Sequence, residues 1–302
     1  MTDLSNLLFS PDYAFARTAF FVSALASLSF GVIGTFVVVR RIGYIAGAVS
    51  HCAFGGIGIG LFLRQTVASG SGFAVVRNLA PWIDPIFVAV LVSIGCALVI
   101  GAFQLYGKER EDTIIGAIWA VGMAVGLLCL DKTEGYHSIS SYLFGDILFI
   151  SLRDIYYVAG LGLIVLIVVS LCFQRFAAVC FYEEFARLRG IRTGFYFQLL
   201  LVLTAITVVL MVRIVGIILV IAMLTLPAAT AGRLTKRLFS MSVLAVFFCF
   251  LCSWTGLYLS IVFNFSTGPM IILVSAVVYA TVFVTQKTVV RKQGRTPSEP
   301  PS

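Results

Sequence analysis

Apolar runs separated by short polar or glycine-rich connections organise the chain from about residue 15 to about residue 286. They cover about 15 to 39, 45 to 63, 86 to 106, 113 to 130, 155 to 173, 194 to 212, 214 to 230, 238 to 263 and 269 to 286. Each is near the roughly 20 residues with which an α-helix crosses hydrocarbon. The pattern predicts an all-α fold, a polytopic membrane helix bundle of about eight or nine transmembrane helices. These would form one domain over residues 1–286, followed by a polar tail at 287–302.

Composition agrees with that pattern. Hydrophobic residues make up 60% of the 302 and charged residues only 11%, with a mean hydropathy of +1.06. So little polar side chain cannot coat a water-soluble globule.

In a soluble protein the formal charge of +8 would raise nucleic acid as a partner. In a membrane chain the placement of the basic residues matters more, because positive loops stay inside. Placing Arg40 and Arg41 in the cytoplasm also puts Lys108, Arg110, Arg175, Arg187, Arg189, Arg192, Arg233, Lys236, Arg237 and the tail there. About 15 of the 21 Lys and Arg then lie inside. This orientation has the N-terminus outside and the C-terminus cytoplasmic, with lipid as the surrounding partner and no role for nucleic acid.

No Lys or Arg precedes Arg17, so the first span lacks the basic start of a signal peptide and reads as a retained helix. The tail is rich in Pro, Ser and charge and reads as a disordered cytoplasmic tether. The seven cysteines are scattered mostly through apolar spans, as buried free thiols are. Cys249 and Cys252 form a C-x-x-C inside a span, where packing is the expected role. No G-x-x-x-x-G-K-[ST] loop is present, since Gly107-Lys108 is followed by Glu109. The chain is therefore not expected to be an enzyme that hydrolyses nucleotide by itself.

Ionisable side chains are costly in hydrocarbon, so those within spans are functional candidates. His51 is the clearest, because neutral imidazole is a common ligand for zinc, manganese or iron. Its neighbours Ser50 and Cys52 are candidates to line a path. The same helix carries Gly47 and Gly55 four residues to either side of His51, with Ala48, Cys52, Gly56 and Gly60 in a second row. Those rows let another helix approach closely. The other histidine, His137, lies beside Asp131 and Glu134 in an expected outer loop, and Asp146 is a secondary candidate. Pro227 is expected to kink or break its span. Arg213 either snorkels to the outer interface or marks a break.

Residues about 181–190, on the basic side, read as a short amphipathic helix. Glu183 and Glu184 stand early, Phe185 and Leu188 share a face, Arg187 and Arg189 come late, and Gly190 can end it. Such a helix either docks in a partner's groove or lies on headgroups.

Six blocks taken in order carry a resemblance. They are Ser50-His51; Glu111-Asp112-Thr113; Ser141 to Leu148; Glu184-Phe185-Ala186; Leu226 to Ala231; and Thr267-Gly268-Pro269. Along nearly its whole length the chain resembles the permease subunits of manganese, zinc and iron ABC importers. The resemblance implies an ABC importer permease architecture in a bacterial inner membrane. It also implies cytoplasmic ABC ATPase subunits, a second permease copy or a paralogous permease, and an extracytoplasmic metal-binding protein. The cargo would be Mn, Zn or Fe, with no permanently bound cofactor.

By that resemblance, Glu183, Glu184, Phe185, Ala186, Arg189 and Gly190 belong to the helix that couples to the ATPase, and His51 is a metal ligand. The family's second ligand is usually an aspartate four residues before the histidine. Gly47 stands there, which leaves open a two-histidine site, a carboxylate from a non-identical permease, or a His51 that only lines the path.

Two other classes remain. A stand-alone secondary transporter or channel would need coupling carboxylates in its spans, which contain almost none. An intramembrane hydrolase would need Ser71 or Ser50 with His51 or His137, yet Ser50 and His51 point about 100° apart on a helix.

Overall fold

A computed structural model describes residues 14–68, 84–107, 110–133, 145 and 152–293. The described residues form ten α-helices. In chain order these are α1 (Ala14–Val39), α2 (Gly43–Ala68), α3 (Pro85–Tyr106), α4 (Glu111–Asp131), α5 (Leu152–Phe181), α6 (Glu183–Leu188), α7 (Thr193–Val215), α8 (Ile217–Leu234), α9 (Leu238–Phe263) and α10 (Thr267–Gln293). All except α6 are long and apolar enough to cross a membrane, so the expected all-α polytopic bundle is observed.

Several helices outrun the apolar runs that announced them. Helix α5 continues through Gln174 and Arg175 to Phe181, and α10 passes the boundary expected at Gln286 to reach Gln293. Hydropathy measures the thickness of hydrocarbon, whereas backbone hydrogen bonding carries a helix on into the polar layer.

Helices α1, α2 and α7 are mostly buried, while α4 and α10 expose much of their length. Helix α2 packs between α3 and α4, and α1 packs against α9, α8 and α5. Phe21, Leu128, Leu163, Leu171, Phe239 and Val277 lie on the outside of the bundle. An apolar exterior is the form a lipid solvent demands. Inside the helices, Ser27, Thr35, Thr204, Thr207 and Ser275 return their hydroxyls to carbonyls one turn back. The hydroxyls are thereby satisfied without a partner helix.

Two helix features expected from sequence take definite form. Helix α7 ends at Gly216 (φ 83°, ψ 162°), where α8 begins. Arg213 lies in the last turn before this break, and Gly145 (φ +68°) sits directly against Val215 and Gly216. The break expected at Pro227 does not occur: α8 runs through it as one helix. Proline has no N–H to give the Met223 carbonyl four residues earlier. The Cys249 thiol donates to that carbonyl instead, at 3.6 Å, from the centre of α9. Cys249 thus combines packing with repair of the proline defect, and it is fully buried.

Cys249→Ala should lower the unfolding midpoint of the purified protein in detergent. The Pro227→Ala background restores an N–H and should reduce that loss by about 0.5–1.5 kcal/mol. Equal losses in the two backgrounds would show that the thiol does not serve the carbonyl.

Candidate functional site

Helices α2 and α4 run side by side in the same direction, since contacts advance together along both. Gly47 meets Trp119, Gly55 meets Gly122, and Gly58 meets Gly126. A side chain at Gly55 would lie 2.7 Å from the Gly122 carbonyl oxygen. Absence of a side chain is therefore what permits this approach.

The contact brings α4 side chains onto His51. The Trp119 indole stacks on the imidazole with centroids 4.7 Å apart and planes 27° from parallel. Tyr44 also packs against Trp119, its ring tilted 40° with centroids 5.5 Å apart. With the ring face held by the indole, the Nδ1 edge meets Met123 Sδ at 3.4 Å. His51 remains partly exposed at the side of the bundle.

Gly47 lies one turn before His51, and a Cβ there would meet the Trp119 ring at 2.8 Å. Trp119 fills the space a longer residue would need. It is itself held between Tyr44 and His51, so the glycine and the indole are two halves of one packing solution.

The neighbours expected to share the path point elsewhere. Ser50 is fully buried and donates to the Ala46 carbonyl, so it is not paired with His51 as a nucleophile would be. Cys52 is also buried and is directed at the Ile118 carbonyl and at Cys96 on α3. Ser71, His137 and Asp146 lie outside the described residues. Among the described residues, no three His, Cys, Asp or Glu side chains gather as a metal cluster.

A second candidate region lies at one end of the bundle. Arg40, directly after α1, donates to Glu183 at 2.5 Å, and Arg187 bonds the other Glu183 oxygen at 3.3 Å. Arg40 also lies over the Phe197 ring at 5.2 Å. These contacts tie the start of α6 to α1 and α7. Its end is a Schellman turn: Gly190 (φ +74°) donates to the Arg187 carbonyl and Ile191 to that of Ala186. Ala186 is buried, while Tyr182, Phe185 and Leu188 are 71%, 53% and 86% exposed. Arg189 covers one face of Phe185 at 4.7 Å, and Glu184 is exposed beside it.

The same end holds a cleft of about 480 Å³ lined by Arg40, Arg41, Tyr44, Glu111, Asp112 and Glu183, among others. Tyr44 belongs both to this cleft and to the stack that reaches His51. The cleft and the histidine are thus joined by one aromatic column.

The sequence singles out His51 and the elements of α6 as candidates but not Trp119, Met123 and Tyr44 beside the histidine. The available signal was the spacing of Trp119 and Met123, four apart on a glycine-rich helix, matching Gly47 and His51 on α2.

Among the described residues, nine helices are of membrane length and one short helix, α6, lies at the basic end. The ABC 3 transport family matches residues 12–286, and the chain belongs to that family, whose members are permeases of metal ABC transporters. A relative from Chlamydia muridarum, named a probable metal transport system membrane protein, is 34% identical over 256 residues, covering 84% of this chain and 83% of that one. The manganese transport system membrane protein MntC of Halalkalibacterium halodurans is 29% identical over 285 residues, covering 93% and 91%. Among solved structures, PsaBC from Streptococcus pneumoniae in complex with Fab superposes with a TM-score of 0.78 at 25% identity, over 93% of this chain and 94% of that one.

Gly47→Val is expected to lower stability by about 1–3 kcal/mol through overpacking against the indole, and Trp119→Ala in the same chain should recover part of it. Thermal unfolding in detergent measures both. A Gly47→Val protein as stable as wild type would contradict the α2–α4 register.

Proposed function

We propose that this chain is the permease of an ATP-driven importer that carries a divalent transition metal, Mn, Zn or Fe, past His51. The observation that carries the reading is α6. It is a short helix fixed to the bundle by Glu183 and Ala186, and it presents Tyr182, Phe185 and Leu188 outward. An apolar ridge with charges around it, anchored to two spans, suits docking on a cytoplasmic ATPase. Movement of that partner would reach α1 through Arg40 and α7 through Arg187 and Thr193, whose side chains meet at 3.5 Å.

In this reading the basic end faces the cytoplasm of a bacterial inner membrane, with the N-terminus outside and residues 287–302 a cytoplasmic tail. Two permease subunits, identical or paralogous, enclose the path, and an extracytoplasmic binding protein delivers the metal. Alternating access releases the ion past the Tyr44–Trp119 column into the polar cleft when the ATPases close. Few protein donors at His51 suit a site that must release its cargo, unlike a closed structural metal cage. The name of the Halalkalibacterium relative supports a metal cargo of this class. His137 and Asp146 are proposed as secondary contacts in delivery and packing.

His51→Ala should reduce metal uptake by cells about 10–100-fold, the usual scale for disrupting a metal site, while leaving membrane assembly intact. Unchanged uptake across metal concentrations would remove His51 from the path. Glu184→Arg combined with Phe185→Ala should weaken co-purification of the ATPase subunits, and wild-type association and turnover would refute the docking role of α6.

A further inference from the structure

The His51 surroundings carry a chemical bias that the import reading alone does not specify. We propose that His51 Nδ1 and Met123 Sδ act together as a nitrogen–sulfur donor pair that favours a borderline or soft divalent cation, with Zn²⁺ preferred over Mn²⁺. The proposal rests on the import reading for its biological meaning and on the α2–α4 contact for its geometry.

Three observations converge. The Nδ1 and Sδ atoms lie 3.4 Å apart. This contact puts an imidazole nitrogen and a thioether sulfur, both donor types that suit borderline or soft ions, side by side between α2 and α4. One ion can reach both donors once the direct Nδ1–Sδ contact opens.

The imidazole is oriented by its stack on Trp119, which presents the Nδ1 edge to the sulfur. No oxygen donor comes from the preceding turn, where the indole closes the space over Gly47. Thioether and imidazole suit zinc and other borderline or soft ions, whereas manganese favours carboxylate, carbonyl and water oxygens. His51 is partly exposed, so the remaining positions of the ion are open to water or to a facing subunit.

The test uses the full-length chain in its assembled transporter, purified in detergent. Equilibrium binding of ⁶⁵Zn²⁺ and ⁵⁴Mn²⁺ is compared for wild type, Met123→Leu, His51→Ala and Cys52→Ser. X-ray absorption of the zinc-loaded samples reports whether sulfur neighbours the ion. Wild type should bind zinc at least about tenfold more tightly than manganese. Met123→Leu, which keeps the side-chain volume, should weaken zinc about 10–100-fold while leaving manganese little changed. The sulfur neighbour should disappear in Met123→Leu and persist in Cys52→Ser.

An unchanged zinc-to-manganese ratio in Met123→Leu, a sulfur signal lost instead in Cys52→Ser, or no zinc binding by wild type would each overturn the donor pair. Uptake separates this outcome from failure of the import reading. His51-dependent metal uptake with a Met123-independent preference would leave import standing and remove the sulfur. Absence of any metal uptake would strike the import reading, while the binding data would still decide the pair.

Discussion

Helices in hydrocarbon gain little by hiding apolar surface from lipid, so a close contact between two of them depends on van der Waals fit and small side chains. The parallel contact of α2 with α4 is such a fit. Gly55 and Gly58 let the α4 backbone come within reach, and Gly47 leaves room for the Trp119 ring. Every property of the His51 region follows from this approach: the stacked imidazole, the sulfur at its edge, and the column leading through Tyr44 to the polar cleft. A bulkier α2 face would push α4 away and separate all of them.

In the proposed import cycle, the metal path and the energy input meet at the other end of that column. Glu183 lines the polar cleft and also receives Arg40, while α6 turns its apolar side chains away from the bundle. Exposed surface ion pairs contribute little stability on their own. The Arg40–Glu183 bond matters because it is half-buried and links the short helix to a central span. In the proposed cycle a displacement of α6 would act on α1, and through the packing of α1 and α8 on the interior of the bundle.

Much of the architecture was legible from hydropathy because lipid leaves few alternatives to apolar helices. The nine membrane-length helices among the described residues, the short helix α6 and its termination at Gly190 all follow from local patterns. Helix ends were less legible: Gln174 and Arg175 interrupt an apolar run without interrupting α5. His51 stood out because an imidazole in hydrocarbon is conspicuous. Trp119 and Met123 did not, since an apolar residue in an apolar span gives no sign of its neighbour until the helices are packed. The same holds for Cys249, whose thiol looked like filler in sequence and serves the carbonyl that Pro227 leaves without a donor. The Gly47 substitution was visible, but its meaning required the indole that occupies the vacated space.

The most direct measurement of the account is ATP hydrolysis by the complete transporter in lipid nanodiscs, with its binding protein supplied and Zn²⁺, Fe²⁺ or Mn²⁺ added in turn. The account predicts that at least one ion stimulates turnover and that His51→Ala abolishes the stimulation without lowering basal hydrolysis. Hydrolysis indifferent to all three ions, or metal flux through this chain with the ATPase subunits absent, would contradict it.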